Sequence, residues 1–266
     1  MEKMLDAALV AVQMGREVLV NYYGRLEHIE EKEMAGLVSE ADRTSEEVIT
    51  RHLSSLYPHV EMLGEESAFL GAQVRDGRAS SLGRWILDPL DGTTNYIHRF
   101  PAFAISLAYE ENGVLQFGII DVPMMGETYV AIKGGGAFLN GRKIQVSKTT
   151  SLKKSLLATG FMTDDPVGLE QQFKIFKEIL PQTRGIRRPG AAAYHLAMVA
   201  RGSFEAFWET NLKPWDTAAG QILVEEAGGM LLTYEGTAYD PYQKTIIAGP
   251  KEIVVEIQKI IAKVRG

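Results

Sequence analysis

Asp88 and Asp91 stand in the run Trp85-Ile86-Leu87-Asp88-Pro89-Leu90-Asp91-Gly92-Thr93-Thr94-Asn95-Tyr96. An apolar strand leads into Asp88, Pro89 stops the ladder by removing a donor, and Asp91 follows within one turn. Two carboxylates brought together at a strand end repel unless a proton or a cation lies between them. Hard oxygen ligands of this kind select magnesium, manganese or calcium. Gly92 frees the backbone to approach a ligand, and Thr93 and Thr94 add hydroxyls and amides where a helix can begin, a natural phosphate seat. The same residues equally suit an Asp-Pro turn closed by an Asx-type cap.

Two more acidic segments are candidates for the same place. Gly64-Glu65-Glu66-Ser67 follows the apolar Met62-Leu63, so a glutamate can project from a strand end; by itself this is a solvated acidic turn. Trp215-Asp216-Thr217-Ala218-Ala219-Gly220 puts Asp216 just before a small-residue helix, where the plain reading is an N-cap. Other chemistries are excluded or set aside. The chain has no cysteine, hence no disulfide, thiolate nucleophile or Cys-ligated metal. Its histidines lack zinc spacing, and His195, in a small-residue helix, reads as packed. Gly134-Gly135-Gly136 has no following Lys-Ser/Thr and reads as a turn rather than a P-loop.

The elements that must position these groups fall into two textures. Leu5, Ala8, Leu9 and Val12 give an amphipathic opening helix, and a second helix is expected from near Asp42 to His52 or beyond. The polar stretch Glu30 to Glu40 between them is expected to be a mobile loop. From Trp85 to Val146 short β-rich runs separated by Asn112-Gly113 and Asn140-Gly141 predict an antiparallel meander. After Ser147, strands near 156–160, 185–188, 204–208, 230–234 and 245–248 alternate with helices near 169–180, 191–200, 217–227 and 252–264, an α/β pattern. Phe173, Phe176, Ile179 and Leu180 form an apolar helical face for core or dimer contact. The expected architecture is α+β over residues 1–146, carrying the acidic motif, then α/β over 147–266 completing the site.

Composition is consistent with this picture. At 266 residues and 45% hydrophobic content the chain can bury a large core. A formal charge of -6 offers no broad basic surface, so nucleic acid is not an expected partner, and an anionic substrate would need a local cation. Asp6, Arg16 and Glu17 interrupt the N-terminal apolar run, so neither a signal peptide nor a membrane span is expected, and a cytoplasmic location is.

Taken together, the motif around Asp88 and the run Trp215-Asp216-Thr217-Ala218-Ala219-Gly220-Gln221-Ile222-Leu223-Val224-Glu225-Glu226-Ala227-Gly228-Gly229 resemble the signature pair of the inositol monophosphatase family. The likeness extends over nearly the whole chain. It implies a layered α-β-α-β-α sandwich of the sugar-phosphatase type and a magnesium-dependent, lithium-sensitive homodimer, with manganese a possible substitute. By this resemblance Glu65, Asp88 and the Leu90 carbonyl hold one ion, and Asp88, Asp91 and Asp216 hold another, with a third, weaker ion near Glu65. Thr93, paired with Asp42, and Glu65 orient the attacking water, and Lys32 lies near the metals, although Glu30, Glu31 and Glu33 make it equally an exposed charge cluster. Amides of Gly92 and Thr93 bind phosphate, while Asp91, Gly190, Ala191, Ala192, Glu209 and Asp216 border the substrate. Many relatives carry Ser or Thr where this chain has Ala191, which leaves fine substrate preference open, as are the roles of Arg187 and Arg188. The resemblance implies hydrolysis of inositol 1-phosphate or a similar small polyol or sugar phosphate. Alternatives are fructose-1,6-bisphosphatase or dual activity, 3'-phosphoadenosine 5'-phosphate or histidinol-phosphate phosphatase activity, or a regulatory protein binding the transcription machinery.

Overall fold

The computed structural model describes residues 1–32, 36–66, 83–161, 163 and 165–266, without the side chains of Glu31 and Lys32. The opening apolar stripe forms α1 (Glu2–Tyr22), which buries Ala8, Ala11, Val12 and Leu19. It packs on α2 (Glu40–Leu56) through Gly15, where a Cβ would lie 2.7 Å from Ile49 Cδ1, so the bare backbone sets how closely the helices cross. Helix α2 starts before Asp42 because Ser39 caps it: the Ser39 hydroxyl accepts from the Ala41 amide at 3.2 Å, and the Ser39 amide donates to Asp42 Oδ2 at 2.8 Å. The segment expected to be a loop is instead an antiparallel pair, β1 (Ile29–Lys32) and β2 (Gly36–Ser39), with 33–35 outside the described residues. Backbone pairing here overrides a polar sequence that carries no alternation.

The large sheet runs in sequence order through β3 (Glu61–Gly64), β4 (Arg84–Asp91), β5 (Ala104–Glu111), β6 (Val114–Val122), β7 (Glu127–Ile132), β8 (Gly136–Leu139) and β9 (Arg142–Lys143). The meander from β4 onward is antiparallel, and Asn112-Gly113 and Asn140-Gly141 turn it with positive φ at all four residues. Strand β3 joins β4 in parallel, so the sheet is mixed rather than purely antiparallel. After β4 comes the short helix α3 (Thr93–Ile97). The second sheet has the order β11 (Gly185–Arg187), β10 (Leu156–Thr159), β12 (Ala206–Thr210), β14 (Thr245–Gly249), β13 (Met230–Leu232), and is parallel between β10 and its two neighbours. Its helices are α4 (Pro166–Ile179), α5 (Ala192–Ala200), α6 (Pro214–Glu226) and α7 (Lys251–Arg265).

Three apolar clusters show how these stack. Trp85, Leu87, Ile105 and Phe117 face Leu19, Ile49 and Leu53 of α1 and α2. Ile86, Ala104 and Ile120, from the other face of the same strands, meet Leu196, Ala219, Ile222, Phe207 and Ala248, so α5 and α6 lie between the two sheets. Ile175, Ile179, Ile253 and Ile257 cover the far side of the second sheet at Trp208 and Ile247. The layers therefore run α-β-α-β-α. Alternation along β4, with both faces covered, explains why it reads as one apolar run. The apolar face of α4 divides: Ile179 is buried and Phe176 packs on the core, whereas Phe173 and Leu180 are exposed. Among the described residues no helix is long and apolar enough to cross a membrane.

Candidate active site

The centre of the site is a fault in β4. Pairing with β5 holds from Arg84 to Asp88, then shifts register and resumes at Asp91 opposite Ala104. Pro89, which has no amide to donate, sits in the shift, so the strand does not stop there as expected but bulges and continues. The bulge is fastened on both sides: Leu90 N donates to Asp88 Oδ1 at 3.0 Å, and Ser45 Oγ of α2 donates to the Pro89 carbonyl at 3.1 Å. Gly92 then turns the chain with φ 91°, and a Cβ there would lie 3.0 Å from Ala191 Cβ and 3.2 Å from the Ala102 carbonyl. Both conformation and room therefore demand glycine before α3.

Asp91 reaches across to the other sheet's helices. Its Oδ1 accepts from the Ala192 amide at 3.1 Å, and its Oδ2 from Ala193 at 2.7 Å and Tyr194 at 3.4 Å, the first-turn amides of α5. A carboxylate at a helix N-terminus meets the positive end of the helix dipole. Asp216 is not the N-cap of α6 but its third residue, because Pro214 opens the helix, and its Oδ2 accepts from the Lys213 amide at 2.7 Å. That places its carboxyl in hydrogen-bond contact with Asp88. Glu65 follows the end of β3, close enough to act electrostatically on both Asp88 and Asp91. Four carboxylates from three separate segments thus act on one another.

Their titration reflects this crowding. Burial, then the charges of Glu65, Asp91 and Asp216, push Asp88 well above the usual carboxylate range. Burial raises Asp91 to about 7 against the three amides that lower it, and raises Asp216 to about 7 with Asp91 adding to the effect. Two carboxyls in contact, Asp88 and Asp216, need a proton between them, and a divalent cation satisfies the same requirement with hard oxygen donors of the right type. The donor set fits magnesium. Among the described residues no three such side chains already close a shell around a single point, and what relates the four carboxylates here is their effect on one another's charge.

Beside the carboxylates, Thr93 Oγ1 donates to Asp42 Oδ1 at 2.8 Å and lies 3.1 Å from the Leu90 carbonyl. Asp42 is itself held by the Ser39 amide and hydroxyl, at 2.8 and 2.6 Å. The pair expected from the sequence is therefore in contact. The side chain of Lys32 and all of Ser67 lie outside the described residues.

Glu209 of β12 stands at the edge of the site, nine-tenths buried, and burial with the charges of Asp216 and Asp91 raises it to about 8 against the opposing pull of Arg188. The turn Gly190-Ala191 precedes α5, which starts at Ala192. Its amides are largely engaged: Gly190 N donates to His195 Nε2 at 3.3 Å, and Ala192 N serves Asp91. His195 is buried, as expected, and burial drives its imidazole down to about 3. With Nε2 accepting, the proton sits on Nδ1, which has no hydrogen-bond partner among the described residues.

Three supporting residues escaped the sequence reading. Asn95 Nδ2 donates to the Ala102 carbonyl at 2.6 Å and to the Pro189 carbonyl at 2.7 Å, tying α3 to the 190 turn. Asn95 lies inside the acidic motif, but its partner Pro189 is 94 positions away in sequence. Ser39 was legible as a Ser-x-x-Asp capping pattern. Gly118 has no local signal: a Cβ there would lie 2.7 Å from Ile222 Cγ2 and 2.8 Å from Ala219 Cα, so it lets the helix carrying Asp216 sit close on the sheet.

Comparison with known proteins identifies a family for this fold. The profile of the inositol monophosphatase family matches residues 1–265. Nus factor SuhB of Pseudomonas aeruginosa is 39% identical over 253 residues, covering 94% of this chain and 92% of its own. A fructose-1,6-bisphosphatase/inositol-1-monophosphatase of Aquifex aeolicus is 38% identical, covering 95% and 93%. The solved inositol monophosphatase of Anabaena superposes with a TM-score of 0.85 at 36% identity, over 98% of this chain and 96% of that one. On a match of this extent, the chain belongs to the inositol monophosphatase family.

Proposed function

We propose that the chain is a magnesium-dependent phosphomonoesterase that hydrolyses inositol 1-phosphate or a similar small polyol or sugar phosphate. The observation that carries this reading is the buried contact of Asp88 with Asp216, flanked by Asp91 and Glu65, with burial and mutual repulsion raising Asp88, Asp91 and Asp216 together. Glu65, Asp88 and the Leu90 carbonyl would hold one ion, and Asp88, Asp91 and Asp216 another, with Asp88 shared, a further weak ion near Glu65, and manganese able to substitute. When bound, magnesium supplies Lewis-acid withdrawal of charge from phosphate and leaving oxygen and lowers the pKa of water.

The chain's own groups do the rest. Thr93 Oγ1 points its proton at Asp42 Oδ1, so its lone pairs are free to accept a proton from a water placed for in-line attack, with Glu65 the other partner of that water. Amides of Gly92 and Thr93 receive phosphate oxygens at the turn that Gly92 makes. Asp91 and Asp216 border the ester, the Gly190-Ala191-Ala192 turn walls the alcohol side, and Glu209 accepts from its hydroxyls. Phosphate release from inositol 1-phosphate, measured with magnesium and with chelator, tests the proposal. No release at saturating metal would remove it, and ranking the ester against fructose 1,6-bisphosphate, 3'-phosphoadenosine 5'-phosphate and histidinol phosphate by kcat/KM identifies the alcohol.

The same reading carries lithium inhibition and a homodimer, countered respectively by an inhibition curve flat to high lithium and by a monomer mass in solution. A second reading, a regulatory protein that engages the transcription machinery, is supported by the likeness to a relative named a Nus factor. Copurification with RNA polymerase from the native host supports it, and its absence counts against it.

A further inference from the structure

We infer that Gly160 sets the choice of alcohol, because the space left by its missing side chain is where the Glu209 carboxylate stands. The inference rests on the proposed reading of Glu209 as the group that faces the polyol. Gly160 directly follows β10, which pairs in parallel with β12 up to Thr159 opposite Trp208, so residue 160 lies beside residue 209, the next along β12. Thr159 Oγ1 donates to the Trp208 carbonyl at 2.7 Å and pins that register. A Cβ built on Gly160 would fall far inside contact distance of Glu209 Oε1, Oε2 and Cδ, all at the end of one side chain.

Glycine is not needed here for its backbone freedom. Gly160 is absent from the residues with positive φ, so an L side chain is conformationally allowed and only space opposes it. What would yield is the tip of a flexible glutamate rather than a strand, so the fold tolerates a methyl group while the carboxylate is displaced. Glu209 is also a carboxylate with an unfilled role: it is 9% exposed, and among the described residues no donor hydrogen-bonds it. A buried acceptor without a donor is what a hydroxyl of the bound alcohol satisfies. Gly160 is thus a positioning residue, acting on the substrate only through Glu209.

The test is a double-mutant cycle on the full chain with magnesium, using inositol 1-phosphate and phenyl phosphate, an ester with no hydroxyls to read. Gly160→Ala is expected to lower the ratio of kcat/KM for inositol 1-phosphate over phenyl phosphate about tenfold, the equivalent of one lost hydrogen bond, with the loss in KM. Glu209→Ala should lower the ratio similarly, and the double variant no further than Glu209→Ala. A ratio within twofold of the parent in Gly160→Ala, or losses that add in the double variant, overturns the inference while leaving the phosphatase reading intact. A ratio unmoved by Glu209→Ala removes both the role of Glu209 and the inference, and no release from either ester by the parent removes the phosphatase reading itself. Should Gly160→Ala melt too low to assay, the Glu209→Ala background must recover the lost melting temperature; if it does not, the two residues are not coupled and the inference fails.

Discussion

Replacing Asp91 with asparagine is expected to inactivate the enzyme and, in the absence of metal, to make the protein more stable at pH 8. The carboxyl of Asp91 moves from 3.8 to about 7 on folding. A shift of about three units corresponds to about 4 kcal/mol held against the ionised form. The folded state keeps a proton that the unfolded chain releases above pH 4, so this contribution is complete below the unfolded value and is lost as pH rises toward 7. The carboxamide of the Asp91→Asn variant has no proton to lose, but offers one acceptor oxygen where the carboxylate offers two to the amides of Ala192, Ala193 and Tyr194, a loss of about 1–2 kcal/mol. The net gain at pH 8 is therefore about 2 kcal/mol, shrinking as pH falls and giving way near pH 4 to a net loss of about 1–2 kcal/mol, the missing acceptor alone. Urea unfolding with chelator at pH 5 and pH 8 measures it. Added magnesium should reverse the order, since ligand at about a hundred times its Kd stabilises the parent by about 2.7 kcal/mol and the variant by less. A metal-free variant less stable than the parent at pH 8, or a parent whose stability is flat between pH 5 and pH 8, would refute the electrostatic account.

Other perturbations isolate single parts. Thr93→Val removes the hydroxyl that points at Asp42 and should lower kcat by about 10²–10⁴ while magnesium still raises the melting temperature; a kcat within threefold of the parent would sink the proton relay. His195 is held neutral to about pH 3, so its contribution is complete above the unfolded value of 6.5 and is lost as pH falls, up to about 4–5 kcal/mol. His195→Gln should gain on the parent steadily from pH 7 to pH 4 in chemical denaturation, and a difference independent of pH would count against it. Gly118→Ala drives a methyl group into Ala219 and Ile222 and should cost about 1–3 kcal/mol in urea, with weaker magnesium binding because Asp216 rides on that helix; unaltered stability and affinity would show that the close approach is dispensable.

The layers and the acidic centre were legible because each left a local mark. Ile86 and Leu87 alternate between two covered faces, Asn112-Gly113 and Asn140-Gly141 force positive φ, and the Asp88-Pro89 pair marks the bulge even though the strand continues through it. What stayed hidden depends on contacts distant in sequence. The parallel pairing of β3 with β4 has no local signature, and the hairpin of Ile29–Lys32 with Gly36–Ser39 replaces an expected loop because backbone bonds, not side-chain pattern, create it. The third-residue position of Asp216 was readable from Pro214, which favours the first turn of a helix. Gly160 and Gly118 look like any other glycine until the residues opposite them are known.

The bonds from Asp91 to residues 192–194 span 101–103 positions of chain. Contacts of such separation form late, since a long loop must close before they return any stabilisation. Recovery of activity after dilution from denaturant is therefore a clock for the docking of the two sheets: helical signal should return first, and turnover should lag behind it, at a rate unaffected by raising the magnesium concentration if closure rather than ion capture sets the pace.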